Sequence, residues 1–163
     1  MGIDLFRNLW PLIAVAAVPL VLSLLGLLAG RLWRRWRKLP SLYEIHQMSG
    51  VEFERALRQI FERDGWSVSL TPKSRDFGGD LLLRRAGRSV VVQAKRWKKS
   101  VGIRAVQEAL GARDRYQADE AWVVASSVFS QSAIAQARSS GVTLKDVHWL
   151  SGELGRLHRS QVA

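Results

Sequence analysis

Two short runs on either side of Ala86-Gly87 leave this chain little freedom. Asp80 to Arg85 and Ser89 to Trp97 have strand composition and meet at a turn dipeptide, which predicts a β-hairpin. An even-numbered connection sets Arg85 against Arg88 or Arg84 against Ser89. Either choice places Asp80 opposite Gln93 and Leu82 opposite Val91. Side chains alternate along a strand, so Lys95 joins Asp80 and Gln93 on one face. The other face receives Leu81, Leu83, Val90, Val92 and Ala94, an unbroken apolar set. A slip of one residue would mix the two sets and is penalised. Burying the apolar face therefore gathers an acid, an amide and an amine at one end of the hairpin. Directly opposed Cβ atoms are roughly 5 Å apart, close enough for two side chains to share one ion.

Those residue types suit a divalent-metal phosphodiesterase. Mg²⁺ wants oxygen ligands and keeps several waters, so one or two protein oxygens plus a phosphate suffice. Asp80 offers a charged oxygen and Gln93 an uncharged one. Lys95 is placed to orient or deprotonate a water and to offset charge building on phosphorus, while the metal polarises the phosphoryl oxygen. Each residue also has a plain structural use. Acids after Gly-Gly are common in turns, Lys95 begins the cationic stretch Lys95-Arg96-Trp97-Lys98-Lys99, and Gln93 could satisfy a sheet edge.

The N-terminus carries a different signal. Asn8 to Gly30 holds no charge, and Arg31-Leu32-Trp33-Arg34-Arg35-Trp36-Arg37-Lys38 follows at once. Residues 9–30 are long enough for a single transmembrane helix, about 20 apolar residues being needed. Pro11 and Pro19 are tolerated in such helices, and Trp10 and Trp33 sit where interfacial rings belong. A cleaved signal peptide would have a shorter apolar region preceded by its positive charge. The basic cluster predicts a cytoplasmic C-terminal side, hence an inner-membrane, single-pass protein with its bulk in the cytoplasm. Residues 9–38 would then contact lipid, the basic part lying on anionic headgroups.

The chain divides accordingly into a tail at 1–8, the span at 9–30, a basic linker at 31–44, a globular domain at 45–150 and a C-terminal tail at 151–163. Net charge is +11; residues 1–40 hold six cations against Asp4, leaving +6 for the remainder. That excess suits a polyanion partner or simply a soluble basic surface. There is no cysteine, which excludes disulfides and thiolate metal sites.

Within the globular part, Ser49 and Glu52 form a capping box before Phe53, Ala56, Leu57, Ile60 and Phe61 at helical spacing. Gly65 stops that helix. Tyr43 to Met48 is ambiguous. Trp66 to Thr71 alternates as a half-buried strand, and Pro72 to Gly79 is a loop. After the hairpin come a helix at Ile103 to Gln117, a strand at Ala121 to Ser126, a helix at Ser130 to Ser140, a short strand at Val142 to Val147 and an irregular or helical extension from Gly152. This order predicts an α/β fold, a mixed central sheet flanked by helices, plus the N-terminal transmembrane helix.

Met48-Ser49-Gly50-Val51-Glu52-Phe53-Glu54, Gly65-Trp66-Ser67-Val68, Thr71-Pro72, Asp76-Phe77-Gly78-Gly79-Asp80, Val92-Gln93-Ala94-Lys95-Arg96-Trp97 and Ala105-Val106-Gln107-Glu108 follow one another in this order. Together they resemble the catalytic domain of Mrr-type restriction endonucleases, members of the PD-(D/E)XK nuclease superfold, over roughly residues 45–148. The resemblance implies an αβββαβ core and Mg²⁺-dependent DNA hydrolysis, with Mn²⁺ an acceptable substitute and no small-molecule cofactor. It implies Asp80 as the metal-binding acid, Gln93 in the place of the second acid, Lys95 as the catalytic lysine and Glu54 as a helical acid supporting the metal or its water. Asp80, Gln93 and Glu54 are then the metal set. Glu52 is better explained as the helix cap, and Gln107 receives no role.

Mrr-type restriction enzymes usually carry a separate DNA-recognition domain, and none is expected from the residues of this sequence. Affinity should come from phosphate contacts by Lys73, Arg75, Arg84, Arg85, Arg96, Lys98 and Lys99, which are sequence-tolerant and salt-sensitive. The leading reading is a membrane-anchored, metal-dependent DNA endonuclease. A catalytically silent nuclease-like module that binds DNA or a partner protein at the membrane is the alternative. A homodimer is compatible with either. The three histidines His46, His148 and His158 are scattered and make no zinc pair.

Overall fold

A computed structural model describes residues 17–26, 38–72 and 79–162. The chain forms two compact units, Met1–Lys38 and Leu39–Ala163. In the first, residues 17–26 are a helix, α1, on which Val18, Leu20, Val21, Leu22, Leu24 and Leu25 are exposed. Among the described residues no helix is long and apolar enough to cross a membrane. The rest of the expected span, residues 9–16 and 27–30, and the cluster at 31–37 lie outside the described residues.

The second unit is built around a five-stranded sheet in the order β1-β2-β3-β4-β5. The strands are β1 (Ser67–Leu70), β2 (Leu81–Arg85), β3 (Arg88–Lys95), β4 (Glu120–Ala125) and β5 (Thr143–Lys145). β1, β2 and β3 pair antiparallel, whereas β3, β4 and β5 pair parallel. The helices are α2 (Leu42–Gln47), α3 (Gly50–Arg63), α4 (Ile103–Tyr116), α5 (Gln131–Ser140) and α6 (Val147–Val162). The sheet is thus mixed and covered on both faces, as the order of elements predicts.

The hairpin has the register that its apolar pattern demands. Arg85 faces Arg88, Leu83 faces Val90, Leu82 faces Val91 and Leu81 faces Val92. Ala86 and Gly87 both have positive φ, +49° and +78°, the geometry of a two-residue turn matched to strand twist. Leu81, Leu83, Val90 and Val92 are fully buried in one core with Phe53, Leu57, Ile60 and Phe61 of α3. Val91 joins a second core with Ala105, Val106 and Ala109 of α4 and Ala133 and Ala137 of α5. The polar face of the hairpin therefore lies on the α4 side.

Two segments expected to be peripheral belong to this core. Leu39 and Ile45 are buried, so the compact unit begins inside the segment expected as a linker. Ser41 caps α2 reciprocally with Glu44: its Oγ accepts from the Glu44 N–H at 3.2 Å, and Glu44 Oε2 accepts from the Ser41 N–H at 2.6 Å. Residues 151–162 are most of α6 rather than a tail, and Leu150, Leu154 and Leu157 pack with the α3 side of the sheet. Their spacing of four and three residues puts them on one helix face. Truncating Leu154 to Ala should cost about 2–4 kcal/mol. In urea unfolding this appears as a lower midpoint with an unchanged slope; a tail would show no change.

Candidate active site

The site starts where the chain enters β2. Gly79 has φ +80°, and a Cβ there would lie 2.8 Å from Ala112 Cβ and 2.9 Å from Val91 Cγ2. Glycine is needed both for the backbone turn and for the close approach to α4. The Gly79 carbonyl accepts from Thr71 Oγ1 at 2.5 Å, and its N–H donates to Gln93 Oε1 at 2.7 Å. The Asp80 N–H donates to the Val92 carbonyl at 2.7 Å, carrying the ladder one step beyond β2.

Among the described residues Gln93 is one of two buried polar side chains, at 5% exposure. Its amide is matched at both ends. Oε1 accepts from Gly79, and Nε2 donates to Asp80 Oδ2 at 2.7 Å. The donors fix the amide orientation, since only its oxygen can accept from the Gly79 N–H. Asp80 Oδ2 also accepts from the Ala94 N–H at 2.7 Å. Among the described residues no hydrogen bond reaches Asp80 Oδ1, so that oxygen is open to a cation. Gln93, expected as a direct metal ligand, here clamps the Asp80 carboxylate to the glycine turn. Its second oxygen lone pair is the one left for a metal.

Burial pushes the Asp80 carboxyl up from 3.8 to about 6. The Ala94 N–H opposes that rise, the charges of Glu54 on α3 and Glu108 on α4 add to it, and Lys95 opposes it. Four charged groups thus act on one another at this end of the hairpin, three of them negative. Lys95 Nζ meets Glu108 Oε2 at 2.5 Å, and Glu108 Oε1 lies 3.3 Å from Arg104 Nε. Glu108 was not singled out in the sequence. Its visible signal is the i,i+4 spacing from Arg104, but its partner on β3 depends on how α4 crosses the sheet. Gln107 is exposed.

Among the described residues no three His, Cys, Asp or Glu side chains close around one point. A hydrated Mg²⁺ does not need three, since one or two carboxylates with waters hold it. The half-buried acid with its raised pKa, beside two further carboxylates, fits a cation, which would relieve their repulsion.

The basic residues divide. Lys73 and Arg75 lie outside the described residues. Lys98, Lys99 and Arg84 are exposed. Arg96 Nε donates to the Met48 carbonyl. Arg85 stacks 4.3 Å over Trp66 and donates to the Asp64 carbonyl at 2.8 Å, so it serves the core edge.

A restriction endonuclease family model, Mrr_cat, matches residues 45–152. The chain belongs to this family. Its globular unit is a restriction-endonuclease-like nuclease domain. Among solved structures, the DNA modification-dependent restriction endonuclease AspBHI is similar at 18% identity, TM-score 0.59, over 71% of this chain and 36% of that one. The protein of unknown function AF1548 is similar at 13% identity, TM-score 0.50, over 58% of this chain and 56% of that one. These likenesses concern the fold, and the chain spans little more than half, or less, of either structure. No curated protein shows significant similarity to it.

Because the folded pKa of Asp80 is raised, the native state keeps a proton that the unfolded chain loses between pH 4 and 6. Stability from this group is full below that window and declines as pH rises through it. Asp80→Asn keeps an oxygen for the Gln93 and Ala94 donors without the charge. In the metal-free protein it should raise stability at pH 7.5 by about 1–3 kcal/mol. It should also flatten the thermal-melting profile between pH 4 and 6; a destabilised variant would contradict the electrostatics.

Proposed function

We propose that this protein hydrolyses phosphodiester bonds of DNA internally, in a reaction dependent on Mg²⁺ or Mn²⁺, and that residues 9–30 tether it to the inner membrane with the nuclease domain in the cytoplasm. The observation that carries the catalytic reading is the convergence of Asp80, Gln93 and Lys95 in a domain of this family. Asp80 Oδ1, with Glu54 and the second lone pair of Gln93, would hold the metal. When bound, the metal supplies Lewis-acid polarisation of the phosphate and a more acidic water.

The chain's own groups do the rest. Gln93 and the Ala94 N–H keep Asp80 from rotating, so its free oxygen stays in place. Glu108 directs the Lys95 ammonium. Lys95 orients the attacking water and offsets charge on the phosphorane. Lys98 and Lys99 with Arg84, and Lys73 and Arg75 a few residues before Asp80 in the sequence, bind backbone phosphates. Arg96, anchored to Met48, keeps its outer nitrogens for the same use.

The membrane reading is supported by the uncharged stretch Asn8–Gly30, by the basic cluster that follows, and by the exposed valines and leucines of α1. Its expected outcome is recovery of the chain with membranes after alkaline extraction. Release into the soluble fraction would contradict it.

The catalytic reading is tested by incubating the purified full chain with supercoiled plasmid. Nicking should require Mg²⁺ or Mn²⁺, stop with EDTA and fall at least 100-fold in Asp80→Ala and Lys95→Ala. Glu108→Gln should lower kcat by roughly 10-fold or more with KM little changed, as expected for a group that positions a catalytic one. Cutting that survives Asp80→Ala would place the chemistry elsewhere. Binding without cutting in every metal would favour a silent DNA-binding module.

A further inference from the structure

Among the described residues the tryptophans divide sharply. Trp66 and Trp122 are buried, at 4% and 8% exposure, and Trp149 stacks on Phe61. Trp97 is 58% exposed. It stands two residues after Lys95, between Arg96 and Lys98-Lys99.

Its backbone, by contrast, is firmly held. The Trp97 N–H donates to Ser126 Oγ at 3.0 Å, and that hydroxyl donates to the Trp97 carbonyl at 3.2 Å. Ser126 itself is 1% exposed. Its N–H donates to the Lys95 carbonyl at 3.1 Å, and its carbonyl meets His46 Nε2 at 3.1 Å. Ser127 Oγ donates to the Lys99 carbonyl at 2.7 Å. Residues 95, 97 and 99 are thus stapled to the end of β4, and the neighbouring Arg96 is tied through Nε to the Met48 carbonyl. Packing alone would not call for a polar clamp this complete under a ring left in water. A clamp of this kind removes conformational freedom in advance of a contact, which lowers the ordering cost of making it.

We propose that Trp97 is a stacking post for an unpaired base of the DNA substrate, set beside the phosphate that Lys95 addresses. This rests on the nuclease reading above, and names a substrate feature for that site. Every base offers a π face, and aromatic rings flanked by cations are the usual platform for bases outside a duplex. A fully paired duplex hides those faces, so the ring favours a bulged, mismatched or single-stranded position. Two residues of extended chain span at most about 7 Å, roughly two nucleotide steps of rise, so the post lies near the cut. Lys98 and Lys99 supply the backbone attraction, which does not depend on pairing.

The test uses the full chain in EDTA, so that binding is read without cleavage, with two fluorescent 20-base-pair duplexes as probes. One is fully paired; the other carries a single bulged 2-aminopurine. The wild type should bind the bulged probe more tightly and quench its 2-aminopurine emission. Trp97→Ala should lose about 5- to 100-fold on the bulged probe, with little change on the paired one, no quenching and an unchanged salt slope. Trp97→Tyr should retain most of the preference, and Lys98→Ala should weaken both probes and reduce the salt slope. Unaltered melting of Trp97→Ala excludes misfolding.

Equal losses on both probes, or no loss on either, would overturn the proposal. A plasmid-nicking assay on the same preparations separates the two readings. Nicking with no bulge preference defeats the stacking post alone, and bulge preference with no nicking in any metal defeats the nuclease reading alone.

Discussion

Burial of Leu81, Leu83, Val90 and Val92 beneath α3 decides everything else about the site. These four residues lie on alternate positions of two adjacent strands, and each apolar side chain removed from water contributes about 1.5–3 kcal/mol. A one-residue slip would turn part of the set away from α3 and bring polar residues into its place, so the register is held by far more energy than any single polar contact supplies. Asp80 and Gln93 are opposed as a consequence, and the hydrogen bond between them only refines a position that the core has imposed. The polar cluster is then a by-product of packing, which is why it can tolerate a strained charge.

That charge is costly. Asp80 sits partly buried, near Glu54 and Glu108, with its carboxyl pushed up to about 6. Two donors on one oxygen and the nearby Lys95 offset part of the desolvation, but not all of it. A fold optimised for stability would place a neutral group here. The arrangement makes sense if a cation completes it, with Gln93 holding the acid still and Glu108 holding the lysine still.

Much of this was legible from residue order. The hairpin register followed from alternation, and the Ser49–Glu52 box marked the start of α3. The same S-x-x-E signature at Ser41–Glu44 marks α2, but a six-residue helix carries too little periodicity to announce itself. α6 was obscured because Gly152 and Gly155 interrupt its pattern, while Leu150, Leu154 and Leu157 still keep one face apolar. Glu108 and the orientation of the Gln93 amide were not legible, because both depend on how close α4 and the Gly79 turn come to β3. The clamp under Trp97 was hidden for the same reason, Ser126 lying some thirty residues away along the chain.

The most direct measurement is a ¹³C NMR titration of the Asp80 carboxyl in the metal-free protein, repeated with Mg²⁺. The expected midpoint is near pH 6, falling when Mg²⁺ is added because the cation competes with the proton. An ordinary midpoint near 4 that does not respond to Mg²⁺ would contradict the account, since Asp80 would then be neither desolvated by the hairpin nor a ligand.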